Sequence, residues 1–501
     1  MTSAVAAPKH AAPMGLAWLF HPSKTEVDVG TRPSDGLVVF SVMWGMAMML
    51  SAASLMSLLG GHEGLLPAAV AWLAIANAAL LVMNPRKTRL LASLSLLMTS
   101  LYVLRLPVSS NNQTISLFMN LGILAALANV ALCTRGLRHD RDALYEQLRV
   151  IARALLAIMY FYGVFHKINT GFLNPVTSCA TALYTPLARP FGLGENIIGM
   201  YAAIAATFIV ETIAIVFLYW RRYFWVGLLV SLPFHYVIPI SGFSWYLDFS
   251  SLVFALYMLS VPREVSAGLY ATGVALMRRV PKLRPGVTAV IALGASLALA
   301  AVIVMALSNW FPGRKDSLLW HSVWLLIWAV FGGISMLLII RAALLEQPYE
   351  VPVTRIRQPW WVYAIPAVLF VSCMSPYVGL KTESSIAMFS NLHTEGGVSN
   401  HLLFAKPPYL FDYQSRVVRV LDSSDPVVRA SATNPAYGLV EHDVALRLLG
   451  NPGMWISYEE DGQKYLRVTE ATFTGHRPSW IELKLLDFKP IDWKRPKVCT
   501  H

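Results

Sequence analysis

Apolar residues in this 501-residue chain gather into long runs separated by short polar breaks. Eleven runs lie at 37–60, 65–83, 88–107, 115–134, 147–166, 197–219, 223–241, 244–261, 285–308, 317–341 and 359–378. Each approaches the roughly 20 residues that carry a helix across a bilayer core of about 30 Å. The pattern predicts an all-α polytopic membrane bundle of about eleven spans, between nine and eleven if the shorter runs are interfacial or broken helices. Residues 1–36 form a polar lead with one apolar patch, "MGLAWLF", and 37–379 form the membrane domain. From 380 to 501 the period changes to apolar–polar alternation. "MWISYEEDGQKYLRVT" predicts two strands joined by a tight Asp461-Gly462 turn, "VVRVLDSSDP" a strand ending in a turn, and "SWIELKLLDF" a further strand. The expectation is a small β-rich domain outside the membrane.

Composition agrees with this division. The chain is 56% apolar and 14% charged, where soluble domains carry about a quarter charged residues. The net charge of +12 would suit a nucleic-acid partner, but its placement argues against one. Every second loop is basic: Arg86, Lys87 and Arg89; Arg135, Arg138 and Arg141; Arg221 and Arg222; Arg263, Arg278, Arg279, Lys282 and Arg284; Arg341, Arg355 and Arg357. The intervening loops "GGHEG" and "SGFSW" carry no Lys or Arg, and "NWFPGRKDS" has two. By the positive-inside rule the basic loops and the N-terminus are cytoplasmic, and the C-terminal domain is extracytoplasmic, periplasmic in a bacterial inner membrane. The first 36 residues lack the short apolar core and small-residue cleavage site of a secretory signal. The four cysteines show no metal spacing, and Cys179 and Cys499 share the outer compartment, where a disulfide is permitted.

An ionisable group in a span costs about 2.5–3.5 kcal/mol on insertion scales, so each needs a partner or a purpose. In "YFYGVFHKINTGFL" an apolar helix ends on His166 and Lys167. Lys167 either snorkels to the interface or sits under the apolar, aromatic segment that follows it, "INTGFLNPVTSCATALYTPLARPFG", acting as a lid. A covered lysine loses solvation, which favours the neutral amine and lets it take a proton. Glu211 lies mid-span, as a structural carboxylate or a functional one. His235 lies between Pro233 and Pro239, in a span that the prolines should kink or open. Asn111, Asn112 and Gln113 open a helix, where caps are ordinary, and Asp248 stands near the outer end of a later span. Lys167, Asn112, His235 and Asp248 all fall toward the outer half, which predicts a pocket there. No nucleotide loop, hydrolase elbow, haem motif or metal-ligand spacing appears. Internal repeats, the usual mark of a transporter, are not evident.

These residues resemble a known family. "YFYGVFHKIN" is similar to the segment of vitamin K-dependent gamma-carboxylases that carries the catalytic lysine, which falls on Lys167. "FHYVIPISGFSWYLDFSSLVFALYML" resembles that family's later helix pair, with His235 on its histidine. "SPYVGLKTESSIAMFSNLHTEGGVSNHLL" is similar to a segment after the last helix in bacterial members of the wider HTTM (horizontally transferred transmembrane) domain family. The resemblance spans roughly 37–405. It implies a lyase-type membrane enzyme that couples oxidation of a reduced naphthoquinone, vitamin K hydroquinone or menaquinol, to carboxylation. Lys167 would take a proton from the quinol, O2 would add to give a strong base, and that base would deprotonate a substrate glutamate, which captures CO2. Catalytic roles would fall to Lys167 and His235, with His166, Asn112, Gln113, Glu211 and Asp248 around the quinone, no metal, and membrane lipid, lipid quinone and an outer peptide substrate as partners. One position departs from the family. Where the carboxylases have a histidine, proposed to steady the carbanion, this chain has "SSNNQTISLF", and neither Asn112 nor Gln113 can be a cation. A non-catalytic scaffold or quinone-binding partner of the same fold is the alternative.

Overall fold

A computed structural model describes residues 35–133, 141–240, 246–279, 315–345, 359–492 and 499. The predicted span at 285–308 and nearly all of the polar lead lie outside these residues. The chain is mostly helical. Its principal helices are α1 (Gly36–Ser54), α2 (Leu65–Met83), α3 (Thr88–Arg105), α4 (Asn111–Cys133) and α5 (Arg141–Phe165). They continue as α6 (Cys179–Ala188), α7 (Ile197–Tyr219), α8 (Phe224–Ile240), α9 (Leu247–Ser260), α10 (Arg263–Arg279), α11 (Lys315–Leu344) and α12 (Ala364–Cys373). Six are long and apolar enough to cross a membrane: α1, α2, α4, α5, α7 and α11. A seventh is reached if α9 and α10, bent by 112° at their junction, count as one span. The described residues therefore carry six or seven membrane-length helices, fewer than the eleven runs. The rest of the difference lies in shorter helices such as α8 and α12, in α3 with its two arginines, and in residues outside the description.

Helix α1 is apolar all round and buried along most of its length, between α2 and α9. It is the centre of the bundle, as expected of a helix with no polar face. At one end of the bundle the basic loops meet. Arg141 is paired with Asp35 at 3.0 Å and donates to the Arg86 carbonyl. Glu146 is paired with both Arg149 and Arg263. Loops far apart in the chain, after α2, before α5 and after α9, thus lie on the same end, as the charge alternation predicts.

The C-terminal region holds a five-stranded antiparallel sheet of β1 (Val417–Ser423), β2 (Tyr437–Val440), β3 (Trp455–Glu460), β4 (Gln463–Thr469) and β5 (Ile491–Asp492), in the order β4-β3-β1-β2-β5. The β3–β4 hairpin turns at Asp461-Gly462, both at positive φ, as predicted. Val418, Val420, Leu439 and Ile456 pack its buried face against α14 (Glu441–Gly450) and α13 (Pro426–Ala432). The third strand prediction fails. "SWIELKLLDF" contains helix α15 (Trp480–Leu485), because Ser479 and Glu482 form a reciprocal capping box that closes a helical turn. The domain is mixed α and β, not purely β.

Candidate functional site

The end of the bundle opposite the basic loops holds a cavity of about 310 Å³, of the order that small-molecule sites occupy. Its walls are mostly aliphatic and aromatic, drawn from α4 to α9 and from residues 386–389. The segment after Lys167 is the predicted cover. Asn169 caps a short turn at Thr170–Leu173, and α6 then packs on α7, placing Cys179, Leu183 and Leu187 on the wall.

Two ionisable centres interrupt the mostly apolar lining. The first is the Lys167–Glu211 pair. The Lys167 amine donates to Glu211 Oε1 at 2.8 Å, Oε2 at 2.9 Å and the Gly163 carbonyl at 2.8 Å. All three N–H groups of an ammonium are satisfied, and its Nζ stands 5.8 Å from the centre of the Phe172 ring. Lys167 is 5% exposed, so it neither snorkels nor stands alone. Glu211, which sequence left open between structural and functional, is the partner of Lys167 and lies on the same wall.

The second is His235. Its Nε2 meets the Tyr160 hydroxyl at 2.8 Å, and that hydroxyl meets the Tyr257 hydroxyl at 2.6 Å. His235 Nδ1 is buried and has no hydrogen-bond partner among the described residues. A buried donor or acceptor left unmatched costs about 1–3 kcal/mol, which a bound molecule can return. Pro233 and Pro239 both sit inside a continuous α8, so the prolines do not break the helix.

Four other residues expected around the pocket are absent from its wall. His166 is buried on the far side, with Nδ1 at 2.7 Å from the Tyr377 hydroxyl and Nε2 at 3.1 Å from the Ser385 carbonyl. Asn112 donates to Asp248 at 2.5 Å, and Gln113 accepts from Arg105 at 3.1 Å. Their neighbour Asn111 takes the wall position, with its side-chain oxygen accepting from the Ile386 amide at 2.5 Å.

Sequence reading missed Tyr160, Tyr257 and the loop 384–391. Tyr160 carried a signal. Positions 160, 163 and 167 repeat at helical spacing, so a wall that includes Lys167 includes them. The loop carried none. Ser384, Ile386, Phe389 and Asn391 all have φ between 55° and 59°, a left-handed conformation that is a marked outlier for a β-branched residue such as Ile386. Such residues persist only where surroundings hold them. Here Ser384 Oγ donates to the Ser109 carbonyl, Asn169 donates to the Ser390 carbonyl, and Asn391 bonds both the Thr177 carbonyl and the Cys179 amide. The loop ties the mouth of α4 to the cover, and Ile386 and Phe389 close the cavity. A Cys179–Cys499 disulfide fastens the chain's C-terminal end to the same cover. Among the described residues, no group of three or more His, Cys, Asp or Glu is placed to hold a metal ion.

No family model, curated protein or solved structure matches this chain.

Proposed function

We propose that this protein is an integral membrane enzyme of the quinol-dependent carboxylase or oxygenase type, with the Lys167–Glu211 pair as its acid–base unit. The observation that carries the reading is a buried, hydrogen-bonded ammonium–carboxylate pair in the wall of a mostly apolar cavity within the bundle. An apolar ring carrying hydroxyl groups, such as a reduced naphthoquinone, suits such a wall, with Lys167, Glu211 and His235 as the polar groups able to hold its oxygens. With O2, that quinol would supply the strong base that removes a carbon-bound proton from a substrate, ahead of capture of CO2.

The residues of the chain then divide the work. Glu211, whose two carboxylate oxygens face the Lys167 amine, would accept a hydroxyl proton from a bound quinol. The Lys167 amine, on the same wall, would hold the quinol oxygen and offset negative charge there. Lys167 therefore acts in concert with Glu211 rather than as a lone amine. The Tyr160–Tyr257 couple fixes the His235 ring, leaving Nδ1 for a second oxygen. The apolar cover, α6 and 386–389, excludes water that would otherwise quench a strong base.

Topology follows the charge rule: the end with Arg86, Arg141 and Arg263 faces the cytoplasm, and the cavity and C-terminal domain face outward. The Cys179–Cys499 disulfide at the cavity end supports this, because disulfides persist in oxidising compartments. Glutamate as the carboxylated substrate is less well supported. Asn112, a neutral residue where the family has its histidine, is turned into Asp248 and off the wall. A quinone-binding partner without turnover is the second reading.

Mass spectrometry of lipids co-purified with the protein is the test. A naphthoquinone should be enriched in the wild type, and oxidation of the added quinol should vanish in Lys167→Ala and Glu211→Gln. Turnover undiminished in both variants would remove the pair as acid–base unit, and bound quinone with no turnover by the wild type would leave only the scaffold. No quinone in any preparation would end both readings.

A further inference from the structure

A second cavity, of about 390 Å³, lies in the C-terminal domain, far in function from the membrane site and not used by it. Its walls include the aromatic rings of Phe411, Tyr413 and Phe473. His442 lies on the same wall, is 7% exposed, and presents an Nε2 with no hydrogen-bond partner among the described residues. Burial holds His442 down, to about 4, so it is neutral at ordinary pH. The charges around it are unbalanced. Among the described residues Arg416 is the one Lys or Arg on the wall, and it is already engaged by Glu441 at 2.8 Å and Glu460 at 2.5 Å. Asp412 adds a further carboxylate at the rim, where it accepts from Ser415. His476, on the same wall and stacked on the His442 ring, is tied to Glu482 at 3.0 Å. Aromatic faces, surplus carboxylate and a buried neutral imidazole nitrogen are the complement of an organic cation.

We propose that this cavity takes the side chain of a lysine or arginine from a protein or peptide partner, held by Asp412 and Glu441, with His442 Nε2 accepting one of its N–H bonds. The aliphatic stem of such a side chain lies against Phe411 and Phe473, and its cationic head meets the carboxylates. A free metal ion is a poorer match, since among the described residues no three His, Cys, Asp or Glu converge there. The proposal stands apart from the membrane reaction and does not need it.

The test is fluorescence anisotropy of a dye-labelled Gly-Gly-Lys-Gly-Gly peptide with the full chain in nanodiscs. Saturable binding is expected, displaced by unlabelled lysine and arginine peptides but not by the norleucine isostere. Asp412→Asn and His442→Phe should each weaken it about tenfold, the loss of one charge-assisted hydrogen bond. Equal displacement by norleucine, or no saturable binding by the wild type, overturns the proposal without reference to any variant's folding. Quinol turnover is expected to be unchanged in Asp412→Asn, which keeps this result separate from the fate of the membrane site.

Discussion

The two ends of the helix bundle carry the same kinds of charged residue and use them differently. At the basic end, Arg141 and Asp35 pair at 3.0 Å with side chains 27% and 21% exposed. At the cavity end, Lys167 and Glu211 pair at 2.8 Å with side chains 6% and 13% exposed. The first pair joins helix ends where water still reaches, a setting in which ion pairs add at most about 1 kcal/mol. The second is enclosed by apolar walls, where desolvation offsets most of the attraction and the pair is poor evidence of added stability. A buried pair that does little for stability, beside a cavity, under a strained loop, is better explained by chemistry than by folding. The contrast also bears on insertion: under the positive-inside rule Lys and Arg at the basic end would set orientation, whereas Lys167 at the other end has its own counter-charge in Glu211.

Breaking the buried pair should have the largest effect. Lys167→Met leaves Glu211 as an unpaired buried charge and should cost about 3–5 kcal/mol of apparent stability. Adding Glu211→Leu should recover most of that loss while quinol oxidation stays absent. Thermal unfolding in detergent, run beside a turnover assay, reads both. If the single and double variants melt alike, the pair is solvated and the comparison between the two ends fails. Asn112→Ala is next. It strips the buried Asp248 of its 2.5 Å donor and should cost about 1–3 kcal/mol. Because Asn112 is off the wall, quinol affinity should change little, and a large change there would bring it into the site.

How much of this could be read beforehand differs between the regions in the same way. In the bundle, hydropathy located the helices and the loop charges located the shared basic end, because both properties are local. Lys167 and His235 were legible as charges out of place in oil. Their partners were not: Glu211 is 44 residues from Lys167, and only packing of α7 beside α5 brings them together. The polar trio 111–113 was legible as a group, but which member faces the cavity depends on helix rotation, and it is Asn111. The strained loop was invisible, since φ at Ile386 is imposed by Asn111 and by its neighbours' bonds to the cover, not by its own preference. In the C-terminal domain, alternation found β1, β3 and β4. It misread 480–485, where the spacing of Ser479 and Glu482 outweighed an apolar pattern too short to decide between helix and strand.

Asp487 links the two regions and titrates within the accessible range. It sits where the loop after α12 meets the domain, its carbonyl accepting from the Thr382 and Glu383 amides. Burial, with Glu383 and Asp443 nearby, pushes its carboxyl up to about 7. The folded state therefore holds a proton that the unfolded state has already released above about pH 4. Stability should fall as pH rises from about 4 to 7 and level off beyond. Asp487→Asn should remove that slope and add roughly 1–2 kcal/mol at pH 8, less than the full shift implies because water reaches part of the group. Melting curves across pH 5–8 check the sign, and a wild type that gains stability over this window would place the carboxyl in water.

The smallest effect should come from the exposed pair, and it sharpens the comparison most. Arg141→Gln removes the bond to Asp35 and the donation to the Arg86 carbonyl, yet both lie at a wet helix end. The expected loss is below about 1 kcal/mol, and it should shrink further in high salt. Lys167→Met should show no such salt dependence, because the Lys167 side chain is only 6% exposed. A salt series on the two variants thus asks whether the ends differ in solvation, independently of any assay for the reaction. Equal salt response at both ends would mean that the cavity is open to bulk water. The Lys167–Glu211 pair could not then hold a strong base away from solvent.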